Sequence, residues 1–224
     1  MIKIGGILKF SSLDYPGRLS SVVFCQGCPN RCIYCHNPEF IPTTNVSRET
    51  FEDFLTFLDT RKGLLDAVVF SGGEPLMQPH LPKCIENVKN KGFLVGLHTS
   101  GVIPHMFKKI LPLVDWIGFD IKNSFEHYGT ITQISNSGSL AKQSFDMLVT
   151  SNTNFEIRTT IDSRIITEDN LLSIAKILQG NGIKKWVLQE CLLRQQNKSE
   201  KLPLPNDDAI RQLSQYVKIE IRKE

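Results

Sequence analysis

Apolar residues along this chain fall into two alternating rhythms. Short, nearly continuous apolar runs occupy residues 21–24, 67–70, 93–97, 116–121, 155–161 and 186–189. They are bounded by Gly, Ser, Asn or Asp, as buried strands are. Between them the apolar positions repeat at helical spacing. Phe51, Phe54, Leu55 and Leu58 form one such face, preceded by Ser47 as candidate N-cap with Thr50 at its N3 position. Further helices are expected over residues 81–90, 104–111, 140–149, 168–178 (capped by Thr167) and 207–217, and residues 218–221 can add a terminal strand. Regular strand–helix alternation implies parallel strands joined by right-handed crossovers. In such folds the loops at the carboxyl ends of the strands gather on one face, where chemistry collects. Six main strands are too few for a closed eight-stranded barrel. The expectation is an α/β fold, a partial (β/α)6 barrel of mostly parallel strands, in one domain spanning residues 1–224.

Composition narrows this picture. A chain of 224 residues with 41% hydrophobic content can bury one substantial core. Its 26 basic and 23 acidic residues give a net charge of +3, too balanced to call for nucleic acid. Gly5, Gly6 and Lys9 interrupt the apolar stretch a signal peptide needs, and the run at residues 64–70 contains Asp66 and is too short to cross a bilayer. Six cysteines without such a signal point to a reducing compartment, with metal binding or catalysis ahead of disulfides. A cytoplasmic protein without membrane attachment is expected.

The first strand runs into Cys25-Gln-Gly-Cys28-Pro-Asn-Arg-Cys32-Ile-Tyr-Cys35-His-Asn-Pro38. Cys28, Cys32 and Cys35 in a turn-rich loop can converge on one metal centre, and soft sulfur selects zinc or iron–sulfur. Spacing alone leaves zinc open, because Cys25 or His36 can complete a closed four-ligand site. Later strand ends also carry polar residues: Ser71-Gly72-Gly73-Glu74-Pro75, His98-Thr99-Ser100-Gly101, Asp120-Ile121-Lys122, Arg158 and Gln189. Two glycines allow close backbone approach to a ligand, and Glu74 offers an acceptor for an ammonium group. Each segment by itself reads equally as a turn or a solvated strand end.

Taken together, these segments resemble the radical S-adenosylmethionine (SAM) superfamily. The resemblance implies that Cys28, Cys32 and Cys35 hold one 4Fe–4S cluster, whose fourth iron stays open to SAM. It places Tyr34 near the adenine and makes Gly72, Gly73, Glu74 and Pro75 the motif that binds the methionine amino group. Thr99 and Ser100 lie in a segment that is often Asp-Thr-Asn-Gly, and Asp120 with Lys122 matches an Asp-x-Lys element of glycyl-radical activating enzymes. Arg158 and Gln189 take the positions of polar SAM contacts. His98 departs from an Asp that helps hold a monovalent cation in some activating enzymes, so that cation site is not carried over.

Asp14-Tyr15-Pro16-Gly17-Arg18, Gln26-Gly27-Cys28 and His36-Asn37-Pro38 narrow the resemblance. Residues 10–40 are similar to activating proteins of anaerobic ribonucleoside-triphosphate reductase, and less specifically to pyruvate formate-lyase activating enzymes. The resemblance runs from Asp14 to Gln189. Cys84 and Cys191 stand alone and support no second cluster. The implied reaction is reductive cleavage of SAM, with flavodoxin or ferredoxin as electron donor, and hydrogen abstraction from a glycine of a glycyl-radical enzyme partner. Alternatives are another such partner, a small-molecule radical SAM enzyme related to 7-carboxy-7-deazaguanine synthase, or a zinc-binding interaction domain. The polar segment 126–138 is expected to shape the substrate entrance.

Overall fold

The computed structural model describes residues 2–44, 47, 49–195 and 198–223. In chain order the elements are β1 (Ile4–Ser11), β2 (Ser20–Cys25), α1 (Phe51–Asp59), β3 (Ala67–Gly72), α2 (Leu81–Asn90), β4 (Leu94–Thr99), α3 (Pro104–Ile110) and β5 (Trp116–Asp120). They continue as α4 (Tyr128–Thr132), α5 (Ser137–Val149), β6 (Asn154–Ile161), α6 (Glu168–Gly180), β7 (Lys185–Glu190), β8 (Leu192–Gln195), β9 (Lys198–Lys201), α7 (Asp207–Leu213) and β10 (Lys218–Arg222). The main sheet has eight strands in the order β1-β2-β3-β4-β5-β6-β7-β10. Strands β2 to β7 are the six parallel strands expected from the sequence, and they stand in chain order. At one edge β1 pairs antiparallel with β2, and at the other β10 pairs parallel with β7. The two edges do not pair with each other, so the sheet is an open half-barrel.

Alternation along the strands separates two apolar environments. Val68, Phe70, Val95, Leu97, Ile117 and Phe119 point to the helices and join the large core. Ala67, Val69 and Trp116 point to the concave side, where they form a small cluster with Tyr15 and Val22. Each fully buried Leu, Ile or Phe contributes about 2 kcal/mol relative to exposure, so the helix-side core fixes strand register. A one-residue slip would send that set to the concave face.

Local differences from the sequence expectation have identifiable causes. Helix α1 is capped by Thr50, not Ser47: Thr50 Oγ1 accepts from Asp53 N and Asp53 Oδ2 accepts from Thr50 N, both at 3.1 Å. Ser47 instead donates its N–H to the Ile4 carbonyl at 2.7 Å and is tied to β1. Strand β1 carries Gly5 and Gly6, which mask its β character. A Cβ on Gly5 would lie 2.5 Å from Phe40 Cδ1, so packing against residue 40 demands the glycine. The β8–β9 hairpin is too polar to signal itself by apolar periodicity. Among the described residues no helix is long and apolar enough to cross a membrane.

Candidate functional site

At the carboxyl ends of the parallel strands lies a cavity of about 260 Å³. Its wall includes Cys28, Cys32, Tyr34 and Cys35 from the loop after β2, and Gly72, Gly73 and Glu74 from the turn after β3. Thr99 and Ser100, then Asp120 and Lys122, then Arg158 and Gln189 complete it from β4 to β7. Every sequence-derived site residue except Pro75 lines this one cavity. Pro75 is buried behind the wall, where it opens a 3-10 turn. Cys25, Cys84 and Cys191 are buried elsewhere, so three thiols alone face the cavity.

The cysteine loop is held by backbone bonds at both ends. Gly27 N donates to Phe40 O at 2.8 Å and Cys28 N to Ile41 O at 3.1 Å. Arg31 N and Ile33 N donate to Thr132 O and Ile131 O of α4, at 2.9 and 3.2 Å. Arg31 Nη1 folds back onto the carbonyls of Cys28 and Asn30 at 2.8 and 2.9 Å. The 126–138 segment is therefore a support beneath the thiols, with Tyr128, Ile131 and Thr132 fully buried. Burial pushes the Cys28 thiol up to about 12, with Glu74 adding to the shift, and raises that of Cys32. A bound metal centre would reverse this preference by taking the thiolates as ligands.

The next turn is locked to that loop. Gly73 N donates to Cys25 O and Glu74 N to Gly27 O, both at 2.9 Å. Gly72 has φ of 101°, and a Cβ there would lie 2.5 Å from Cys25 N. The paired glycines thus permit close approach to the chain's own cysteine strand. Glu74, 1% exposed, spends its carboxylate inside the protein as well. Oε1 accepts from Thr99 Oγ1 at 2.7 Å and Leu76 N at 3.2 Å, and Oε2 from Ser100 Oγ at 2.6 Å and Ser100 N at 3.0 Å. Burial raises the Glu74 pKa against the pull of these bonds. An acceptor held by four protein donors is a clamp between two turns, and Glu74 lines the cavity as well.

Charge lines the remaining wall. Asp120 Oδ1 accepts from Arg158 Nε at 2.9 Å and Oδ2 from Lys122 Nζ at 3.2 Å. Burial alone would raise Asp120, but Arg158 and Lys122 outweigh it and hold the carboxyl at about 2. Burial likewise opposes the Lys122 charge, and Asp120 more than offsets it, so Lys122 stays above its ordinary value. Lys122 Nζ also lies 6.0 Å from the Tyr34 ring centroid. His98 is the residue here that motif reasoning set aside. Burial and the Arg158 charge depress it to about 3, leaving a neutral imidazole 2.9 Å from the Asp14 carbonyl and 3.3 Å from Ser71 Oγ. Asp14 and Asn30 also line the cavity without having been singled out as site residues. Their signal was present in the motifs flanking the cysteines, but only the fold shows that they face inward.

The donor set fits an iron–sulfur centre with an organic cofactor beside it. Among the described residues no three or more His, Cys, Asp or Glu converge to hold a single metal ion. A 4Fe–4S cluster takes each thiolate on a different iron, so its ligands need not meet at one point. Tyr34 Oη is buried without a hydrogen-bond partner among the described residues. Such a group costs about 1–3 kcal/mol unless something satisfies it, which suits a cavity built for a polar ligand.

An open half-barrel with three thiols in a polar cavity at its strand ends is the arrangement of a protein that holds a sulfur-ligated metal centre beside a polar ligand. The profile of the Radical SAM superfamily matches residues 22–200, and the chain belongs to that superfamily, within its glycyl-radical enzyme activating group. Its cofactors are a 4Fe–4S cluster and SAM. A putative glycyl-radical enzyme activating enzyme of Methanocaldococcus jannaschii is 28% identical over 222 residues, covering 96% of this chain and 91% of the relative. The pyruvate formate-lyase-activating enzyme of Clostridium pasteurianum is 30% identical over 216 residues, covering 91% and 88%. A radical SAM methyltransferase from Sphaerobacter thermophilus shares the fold with a TM-score of 0.67 at 16% identity, over 93% of this chain and 67% of that one.

Proposed function

We propose that this protein cleaves SAM reductively and installs a glycyl radical on a partner enzyme, anaerobic ribonucleoside-triphosphate reductase being the favoured partner. The observation that carries the reading is convergence: segments from six strand ends, separated by up to 161 residues between Cys28 and Gln189, line one cavity. Cys28, Cys32 and Cys35 would hold the cluster. The backbone of Gly72 and Gly73, with Thr99 and Ser100, would receive the methionine end of SAM, with Tyr34 and Gln189 toward its adenosine. When bound, the cluster and SAM would supply the chemistry, reductive cleavage of the sulfonium with an electron from an external donor and abstraction of a hydrogen atom from the partner's glycine.

The chain's own part is positioning. The Glu74 clamp fixes two turns against the cysteine loop, the Asp120 carboxylate keeps two cations in the wall, and neutral His98 ties the Asp14 segment to the strands. Rigid placement of this kind lowers the entropic part of a barrier and keeps water from a reactive radical. A sheet whose edge strands β1 and β10 are not paired with each other suits lateral entry of a partner's backbone loop. The preference for the ribonucleotide reductase rests on the resemblance of residues 10–40; pyruvate formate-lyase or another glycyl-radical enzyme is the next reading. Flavodoxin or ferredoxin in the cytoplasm would supply the electron.

The test is anaerobic reconstitution, reduction and addition of SAM, with and without each candidate partner. 5′-Deoxyadenosine together with a glycyl-radical EPR signal on the reductase would establish the activity. SAM cleavage without that signal on any partner would refute the activating role while leaving the radical chemistry intact.

A further inference from the structure

Gly118 lies in the middle of β5, on the concave face, in register with His98 of β4 and Glu156 of β6. No motif marks it. Its φ is not in the left-handed region, so its backbone conformation does not call for glycine. Glycine inside a strand is unfavourable unless something approaches closely. Here the approaching group is the Arg158 guanidinium: a Cβ on Gly118 would lie 2.7 Å from Cζ and 2.8 Å from both Nη1 and Nη2. Ordinary van der Waals contact begins near 3.4 Å, so a side chain at position 118 would force the head group to shift from this seat.

Seated there, Arg158 is 6% exposed and still lines the cavity. Its Nε donates to Asp120 Oδ1 at 2.9 Å and its Nη2 to the Gly118 carbonyl at 3.3 Å, while Nη1 stands 3.3 Å from His98 Nε2. A guanidinium carries five N–H groups. At most three are used by these neighbours, leaving N–H groups on Nη1 and Nη2 for an outside acceptor. A buried cation with donors to spare, in a wall whose other cation already shares the same carboxylate, suits an acceptor on a zwitterionic ligand.

We infer that Gly118 is a positioning residue for SAM: by leaving out a side chain it seats the Arg158 guanidinium in the cavity wall, where its spare N–H groups meet an acceptor of the cofactor. The inference rests on the assignment of the cavity to SAM. Gly118 itself touches no cofactor and acts through Arg158.

A thermodynamic cycle tests it. SAM affinity is measured by isothermal titration on anaerobically reconstituted, cluster-loaded protein for wild type, Gly118→Ala, Arg158→Met and the double variant. Gly118→Ala should weaken SAM about tenfold, the loss expected for a charge-assisted hydrogen bond. Arg158→Met should do at least as much. In the Arg158→Met background Gly118→Ala should change affinity less than about twofold, because the group it would displace is gone. Melting temperature should follow the same pattern, falling on Gly118→Ala only when Arg158 is present. Equal losses in both backgrounds, or wild-type affinity in Gly118→Ala, would overturn the inference. If Gly118→Ala alone fails to take up iron, uptake by the double variant supports it and failure of both overturns it. A cluster-loaded wild type that binds no SAM would instead sink the assignment of the cavity.

Discussion

Glu74→Gln isolates the clamp from its shape. The substitution keeps the size and hybridisation of the side chain but replaces one acceptor oxygen with an NH2 group that can only donate. Each carboxylate oxygen of Glu74 faces one hydroxyl and one backbone N–H: Thr99 Oγ1 and Leu76 N on one side, Ser100 Oγ and Ser100 N on the other. A hydroxyl can turn and accept; a backbone N–H cannot. Whichever way the glutamine amide is flipped, one buried N–H is therefore left facing another donor. That costs about 1–3 kcal/mol, and the remaining bonds lose their charge assistance, for a total of about 3 kcal/mol. For a chain of this size roughly 2–4 °C of melting temperature accompany each kcal/mol, so a fall of about 6–12 °C is expected. The assay is thermal unfolding of cluster-loaded protein under anaerobic conditions without SAM, so that no ligand effect enters. SAM affinity, measured separately, should fall with stability. A variant with wild-type melting temperature and more than tenfold weaker SAM binding would refute the clamp and restore Glu74 as a direct ligand.

Replacing Cys28, Cys32 or Cys35 with Ala should abolish cluster iron, while Cys84→Ala, whose thiol is buried away from the cavity, should retain it; equal iron content in all four variants would remove the ligand assignment. His98 predicts a pH effect on stability. Its folded value of about 3 lies below the ordinary 6.5, so the unfolded chain takes up the proton first. This group's contribution is intact above pH 6.5 and is lost as pH falls toward 3, amounting to about 2 kcal/mol by pH 5. Urea unfolding of wild type and His98→Gln at pH 7 and pH 5 should show that excess loss only in wild type. An identical decline in both proteins would mean that His98 is not held neutral.

The parts of this fold that were legible in the sequence are those written in local periodicity. The six parallel strands β2 to β7 announce themselves as apolar runs because helices cover one face and the concave side covers much of the other. Strand β1 was hidden because its glycines answer to Phe40 and Gln26, residues far along the chain. The site divides the same way. Strand-end motifs located the residues around the cavity, since a loop at the carboxyl end of a parallel strand has one place to go. They did not reveal what those residues touch. Gly72 and Gly73 line the cavity and also make room for the cysteine strand, and Glu74 is bonded to both neighbouring turns. A motif thus records that a position is constrained, while the constraint itself lies across space. Gly118 extends the point in the other direction. Its Cβ position is filled by a guanidinium 40 residues away, where that of Gly72 is filled by backbone, yet it belongs to no recognisable pattern. Positions of that kind are where the geometry of a cavity is set without a sequence signature, and a cycle that couples Gly118 to Arg158 measures such a constraint directly.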